Sequence, residues 1–446
     1  MGYSATRNAG ATTMAKYFDK KFETMDREKL KKLQNERLIK TVQDTYKVSP
    51  YYKKLWDSFG LDVANFRGIA DLNKIPFIKK DDLRNAYPFG LLAKKLEDCV
   101  RIHSTSGTTG KRVIAFYTEH DLDEWSTTVA RALTAAGAGK GDVVQIAFGY
   151  GLFTGGMGIH DGSHKIGALT LPMSSGSTDR QIEFMMDLGT TFLACTPSYA
   201  TYLAETIKGR GLLDKIKLKA GIFGAEAWSQ EMREDLQNTL GIKAYDIYGL
   251  TELEGPGVAY ECECQDGMHI NEDKFIAEII DPETGEVLPA GQKGELVFTS
   301  LTREAFPMIR YRTRDIAILN EEPCPCGRTF VRMSKPLGRS DDMLIVKGVN
   351  VFPSQIESVL IAKGYTSNYQ IVVDRVGTTD TLDIYVEITQ EQFSDDLAEI
   401  AAKEKDIVFA LKASLGIFGT VHLVSQYSIE RSEGKAKRVI DKRKLY

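Results

Sequence analysis

The stretch KAYDIYGLTE, Lys243 to Glu252, sets an apolar and aromatic run against a polar loop that begins just past a glycine. Four earlier runs have the same form: VVQIAF (Val143 to Phe148), ALTLP (Ala168 to Pro172), FLACT (Phe192 to Thr196) and AGIFG (Ala220 to Gly224). Each is short and apolar or β-branched, and helical segments separate them. That alternation predicts an α/β core with a mostly parallel sheet. Such sheets bind ligands beyond the C-terminal ends of their strands. The five runs open into GYGLFTGG, MSSGST, PSY, AEAWS and LTE, polar or glycine-bearing loops suited to that edge.

Outward from this core the pattern changes twice. After Lys274 the runs KFIAEIID and GELVFTS alternate in hydrophobicity and are parted by the turn signals DPETGE and PAGQKG, which predicts antiparallel hairpins in a β-rich subdomain. A boundary is expected near Asp341. It divides a large N-terminal domain, residues 1–340, from a small α+β C-terminal lid domain, residues 341–446, built from IVVDR, TLDIYVEIT, a helical stretch from Glu391 to Leu415 and TVHLVSQYSI. At the other end, Leu30, Leu33, Leu38, Val42 and Tyr46 fall near one face of a helix over Asp26 to Lys47. Ser49-Pro50 then caps a second, short helix through Trp56.

The 446 residues are enough for more than one domain, and a formal net charge of -4 gives no reason to expect a nucleic-acid partner. The N-terminus lacks the apolar run of a signal peptide. Val143 to Ile159 is free of charged residues but carries five glycines, so it reads as a strand and loop, not a membrane span. Six cysteines in a chain this long do not make a disulfide scaffold, and the expected location is cytoplasmic.

Ser104 to Arg112 read STSGTTGKR, a loop that offers hydroxyls, backbone N–H groups and the Lys111 cation to a phosphate chain, with Gly107 and Gly110 allowing close approach. A P-loop NTPase is disfavoured, because Thr105 and Arg112 stand where GxxxxGK[ST] needs a glycine and a hydroxyl. The loop keeps ordered company: YGLFTGG (Tyr150 to Gly156), YGLTELEGPGVAYEC (Tyr248 to Cys262), EIIDPETGEVLP (Glu278 to Pro289), GELVFTSLTREAFPMIRYRTRD (Gly294 to Asp315), GRSDDMLIVKGVNVFPSQIE (Gly338 to Glu357) and EGKAKR (Glu433 to Arg438). On these blocks the chain resembles the adenylate-forming superfamily of acyl-CoA synthetases, and within it the phenylacetate-CoA ligase family.

The resemblance implies ATP-dependent ligation of an aryl acid, phenylacetate first, to coenzyme A through an acyl-adenylate, with Mg²⁺ and a homodimer. It assigns Thr105, Ser106, Gly107, Thr108, Thr109, Gly110 and Lys111 to the phosphates, Thr251 to the α-phosphate and Glu252 to Mg²⁺. Gly224, Ala225 and Glu226 are matched to the adenine-contacting segment, and Tyr248 is grouped with them. Asp315 is matched to the ribose hydroxyls, and Arg339 to the ribose and phosphate. An acceptor-only carboxylate suits a diol and a guanidinium suits phosphate. Lys435 is assigned to the adenylation transition state, where an ammonium can bridge the attacking carboxylate and the α-phosphate. The resemblance expects a proline where Glu430 stands. Asp341 falls at the family's hinge, and Gly348 lies in the segment that helps to admit the CoA thiol. Tyr150, Phe153 and Pro197 are candidate walls of the acyl pocket.

A second constellation is independent of these motifs: Cys262, Cys264 and His269 in ECECQDGMH, then Cys324 and Cys326 in CPCG. Thiolates and an imidazole from two short clusters suit a closed tetrahedral Zn²⁺ site of structural type. Five ligands are present for four places. Cys262, His269, Cys324 and Cys326 are the chosen set, although spacing does not decide between Cys262 and Cys264, and free buried thiols are the alternative. The rival functions are a CoA ligase for an indoleacetate- or benzoate-type acid and a non-catalytic nucleotide- or zinc-binding protein on the same fold.

Overall fold

The computed structural model describes residues 16–105, 112–339, 344–346, 349–376, 379–394, 396–430 and 437–443. All five apolar runs form strands. Leu169–Leu171, Val143–Ile146, Phe192–Cys195, Ala220–Gly224 and Lys243–Leu250 lie side by side in that order, every pair parallel. Burial on both faces explains their continuous apolar character: Phe192–Cys195 and Ala220–Gly224 are buried at every position.

The expected hairpins are present, but they do not form a separate sheet. Lys243–Leu250 turns back antiparallel into Gly255–Glu261, and the sheet continues through Met268–Ile270, Arg332–Met333, Tyr311–Asn320, Lys293–Ser300, Phe275–Ile280 and Val287–Leu288. Among the described residues this makes one mixed sheet of 13 strands. One apolar cluster packs against it from Leu38 and Trp56 to Phe298 and Met333, and a second, which includes Leu193, Phe223 and Ala244, packs against its parallel strands.

The N-terminal helices form where their caps are. Asp26 accepts from the N–H groups of Glu28 and Lys29 to start Arg27–Val48, and Ser49 accepts from Tyr52 to start Pro50–Ser58. The small C-terminal domain has its own sheet, in which the hairpin Tyr369–Val376 and Thr379–Glu387 is flanked by the parallel strands Val439–Asp441 and Thr420–Val424. Its core is separate and includes Ile356, Leu360, Ile371, Ile384, Ile407 and Leu411. The long helix there is Leu397–Leu415, six residues shorter at its start than the sequence suggested, because Asp396 caps it by accepting from the Ala398 N–H. Among the described residues no helix is long and apolar enough to cross a membrane.

Candidate active site

The turn from Lys243–Leu250 into Gly255–Glu261 carries Thr251 and Glu252. It closes so tightly that a Cβ added at Gly249 would lie 1.7 Å from the Gly255 carbonyl oxygen, so this position demands glycine. The Glu252 carboxylate is buried, and the Lys80 ammonium, from the first residue of the helix Lys80–Asn85, lies 3.2 Å away. Thr251 Oγ1 lies 3.3 Å from Oγ1 of Thr154, which belongs to the YGLFTGG block. Lys80 is the functional candidate that sequence reading missed. It stands 172 positions before Glu252, and no local spacing marks it.

One strand over, Ala220–Gly224 ends in Ala225, a non-glycine residue held at φ 71°. Such a conformation is costly for an alanine and aims the next side chain sharply. That side chain, Glu226, accepts from the Ser198 N–H at 2.7 Å, at the start of the helix Pro197–Gly209. Pro197 is buried at the first position of that helix and stiffens its entry. The Tyr248 hydroxyl donates to Asp315 Oδ2 at 2.6 Å, both residues being buried. Asp315 pairs with Arg339 in antiparallel register.

The loop assigned to phosphate is rooted in a two-stranded ribbon, Arg101–Ser104 and Ile114–Tyr117. Thr105 holds its base by donating its N–H to the Val113 carbonyl and accepting from the Val113 N–H. The Ser104 N–H donates to the Leu152 carbonyl at 2.8 Å, which fastens the ribbon to the YGLFTGG loop. His103 is wedged edge-on between Tyr117 and Trp125, and burial lowers its pKa. Within YGLFTGG, the Tyr150 hydroxyl lies 3.3 Å from His160 Nδ1, and its pKa is raised by burial and, less, by Asp161. Phe153 precedes the helix Thr154–Lys165 and leaves half its surface exposed, as does Leu152 beside it. Thus the structure links Thr105, Thr251, Glu252 and the Tyr150–Phe153 loop through short contacts, and it pairs Tyr248 with Asp315. Ser106, Gly107, Thr108, Thr109, Gly110, Lys111, Asp341, Gly348 and Lys435 lie outside the described residues, as does the side chain of Arg339.

The cysteine constellation sits at the other end of Gly255–Glu261. Donor atoms of Cys262, His269, Cys324 and Cys326 all lie within 4.8 Å of one another, and all four residues are buried. Cys262 Sγ is 3.7 Å from Cys324 Sγ, and Cys326 Sγ is 3.4 Å from His269 Nε2. A tetrahedral Zn²⁺ with ordinary Zn–S bonds spaces its sulfurs ~3.8 Å apart, so the cluster has the right size. His269 Nδ1 faces the Phe330 carbonyl at 3.2 Å, which leaves Nε2 as the lone-pair nitrogen toward the thiols. Hydrogen bonding from the Cys262 thiol holds the Cys326 thiol far below its usual pKa, whereas the Cys262 thiol is pushed up by the same contact. Cys264 is half-buried and does not join it.

Two AMP-binding enzyme families match the chain: the AMP-binding enzyme profile over residues 163–302 and the AMP-binding enzyme C-terminal domain over residues 348–443. The phenylacetate-coenzyme A ligase of Thermus thermophilus is 45% identical over 96% of this chain and 100% of its own. That of Escherichia coli is 43% identical over 95% and 97%. The crystal structure of a 2-hydroxyisobutyryl-CoA ligase in its postadenylation state superposes with a TM-score of 0.90 at 27% identity, covering 99% of this chain and 95% of that one. The same ligase in its thioesterification state gives 0.71 at 28% identity, over 100% and 96%. With the adenylate-forming fold, large α/β domain and small C-terminal domain in place, and near-complete alignment to these relatives, the chain belongs to the phenylacetate-coenzyme A ligase family of acid-thiol ligases.

Proposed function

We propose that the chain joins phenylacetate to coenzyme A in two steps. A substrate carboxylate oxygen attacks the α-phosphorus of ATP and pyrophosphate leaves; the CoA thiol then attacks the acyl carbon and AMP leaves. The observation that carries this reading is the buried Glu252 carboxylate, placed on the strand-end turn beside Thr251 with the Lys80 ammonium 3.2 Å away. A buried carboxylate needs a cation partner, and Glu252 has the chemistry to hold Mg²⁺. When bound, that ion neutralises charge on the phosphate oxygens. Thr251 donates to the α-phosphate, Thr105 to Lys111 receive the phosphate chain, and Gly224, Ala225 and Glu226 lie against adenine. Asp315, oriented by Tyr248, accepts from the ribose diol, with Arg339 beside it. Lys435 supplies the cation that the transition state needs.

The acyl ring is assigned to the cleft at Tyr150, Phe153 and Pro197, where the half-exposed Phe153 and Leu152 offer apolar surface to a planar ring. Asp341 is the hinge, residues 1–340 and 341–446 move as two bodies about it, and Gly348 belongs to the segment that admits CoA. The Cys262, His269, Cys324 and Cys326 cluster holds one structural Zn²⁺. A cytoplasmic homodimer follows from the family resemblance.

Pyrophosphate release from ATP and Mg²⁺ across a panel of aromatic and aliphatic acids, with and without CoA, tests the reading. Release that depends on phenylacetate, with thioester formed when CoA is present, supports it. Preference for an indoleacetate or a benzoate relocates the substrate, and no release with any acid overturns the activity.

A further inference from the structure

Glu357 lies on the small domain's helix Pro353–Ala362, yet its side chain is buried against the large domain. Its Oε1 accepts from the Ser229 N–H at 2.9 Å. Ser229 lies three residues past Glu226, the last of the residues assigned to adenine, and it caps the helix Gln230–Leu240 by accepting from the Met232 N–H. The second oxygen, Oε2, lies 3.8 Å from Arg438 Nη2. The Arg438 guanidinium in turn lies 4.6 Å over the Tyr369 ring, and the Arg438 carbonyl accepts from the Ile371 N–H at 2.7 Å. Arg438 is three residues beyond Lys435. One carboxylate therefore joins the nucleotide side of the large domain to the strand that follows the assigned catalytic lysine.

A carboxylate buried at a domain boundary is costly unless both oxygens are satisfied, and the partners found here sit on opposite sides of that boundary. Glu226 faces the same region, which makes an unpaired Glu357 more costly still. Other side-chain hydrogen bonds from the small domain to the large one are Asn368 Nδ2 to Glu205 Oε1 at 3.3 Å and Ser354 Oγ to the Leu337 carbonyl at 3.4 Å. The domain placement matches a relative's postadenylation arrangement at a TM-score of 0.90 and its thioesterification arrangement at 0.71, so the contact belongs to the first of these.

We propose that Glu357 is a positioning residue for adenylation: by tying the Ser229 N–H to Arg438 it fixes the strand that follows Lys435 in sequence against the nucleotide side of the large domain, and the tie is released when the small domain turns for thioester formation. This rests on the assignment of Lys435 to adenylation. The test uses full-length protein and measures both half-reactions: single-turnover pyrophosphate release from ATP and phenylacetate without CoA, and thioester formation from supplied phenylacetyl-AMP and CoA. Glu357→Ala is expected to slow adenylation by about tenfold to a hundredfold, the range for one hydrogen bond to a charged group. Thioester formation should stay within about twofold, since a purely structural defect would lower both rates together. Glu357→Gln keeps an acceptor for Ser229 and loses the charge facing Arg438, so it should fall between. Equal losses in the two half-reactions, or unchanged adenylation in Glu357→Ala, overturn the positioning role. Lys435→Ala is run beside them: adenylation that survives it overturns the underlying assignment of Lys435, whereas loss in Lys435→Ala with full activity in Glu357→Ala overturns the Glu357 inference alone.

Discussion

The strand Gly255–Glu261 has a different kind of chemistry at each end. At its start stand Thr251 and Glu252, brought against Lys80 and Thr154 from distant segments, with a half-exposed Phe153 nearby. Seven residues on, roughly 23 Å at the rise of an extended strand, Cys262 meets His269, Cys324 and Cys326 in a closed and buried set. A site that turns over must keep open positions for substrates and must allow its parts to part again. A staple needs the reverse, every donor turned inward and held by its neighbours. Around the cysteines this is visible in the supports: the Tyr17 hydroxyl donates to the Cys326 carbonyl, and Arg328 bonds Glu23 at 2.7 Å, which binds the N-terminal segment to the knuckle.

If the two ends differ in this way, substitutions at one should move rates and at the other stability. Lys435→Ala gives the largest expected effect, a loss of adenylation of about 10²- to 10³-fold while supplied acyl-AMP is still converted to thioester. Parallel single-turnover assays check it, and equal loss of both steps would erase the contrast at the nucleotide end. Tyr248→Phe removes the 2.6 Å donor to Asp315, and the KM for ATP should rise about tenfold with a smaller change in kcat. Steady-state kinetics with ATP varied decide this.

At the cysteine end, Cys324→Ser or exhaustive chelation should remove about one zinc per chain by elemental analysis and lower Tm by several degrees. Turnover well below Tm should stay within about threefold of the parent. A metal-free preparation of unchanged Tm and activity would dissolve the comparison by leaving only buried thiols. The smallest effect is expected at Glu254, two residues past Glu252 and wholly buried, where burial raises the carboxyl pKa from 4.5 to about 7. The Thr128 hydroxyl is 2.7 Å from the Trp125 carbonyl and 2.9 Å from Glu254 Oε1; with its single proton given to the carbonyl, a protonated Glu254 can donate to it. A folded state that holds this proton more tightly than the unfolded chain is stabilised below about pH 4.5. That stabilisation is lost as pH rises through about 7. Glu254→Gln should therefore gain stability relative to the parent as pH rises from about 5 to about 7, by at most about 1.4 kcal/mol per pH unit, which thermal melts across that range will read as a growing difference in Tm.

Much of this architecture was legible because its signals are local. The apolar face over Asp26 to Lys47, the cap at Ser49, apolar runs of strand length and turn signals at DPETGE depend on neighbours a few residues away, and each element formed where they placed it. The start of Leu397–Leu415 was misplaced by six residues because Asp396 supplies the cap. The continuity of the hairpins with the parallel core was not legible, since pairing across Arg332–Met333 and Met268–Ile270 joins residues 63 and 65 positions apart.

By itself the sequence determined the chemistry: which side chains can accept from a diol, hold a divalent cation or offer thiolates, and in which order the strand-end loops carry them. Only the tertiary structure decided the partners. It set Lys80 beside Glu252, gave Tyr248 to Asp315, took Cys262 over Cys264 for the buried cluster, and laid Glu357 against Ser229. The reason is physical. Donor types and local conformation are properties of a few adjacent residues, whereas a buried charge or thiol finds its partner only when the packed sheet fixes which distant segment lies a hydrogen bond away.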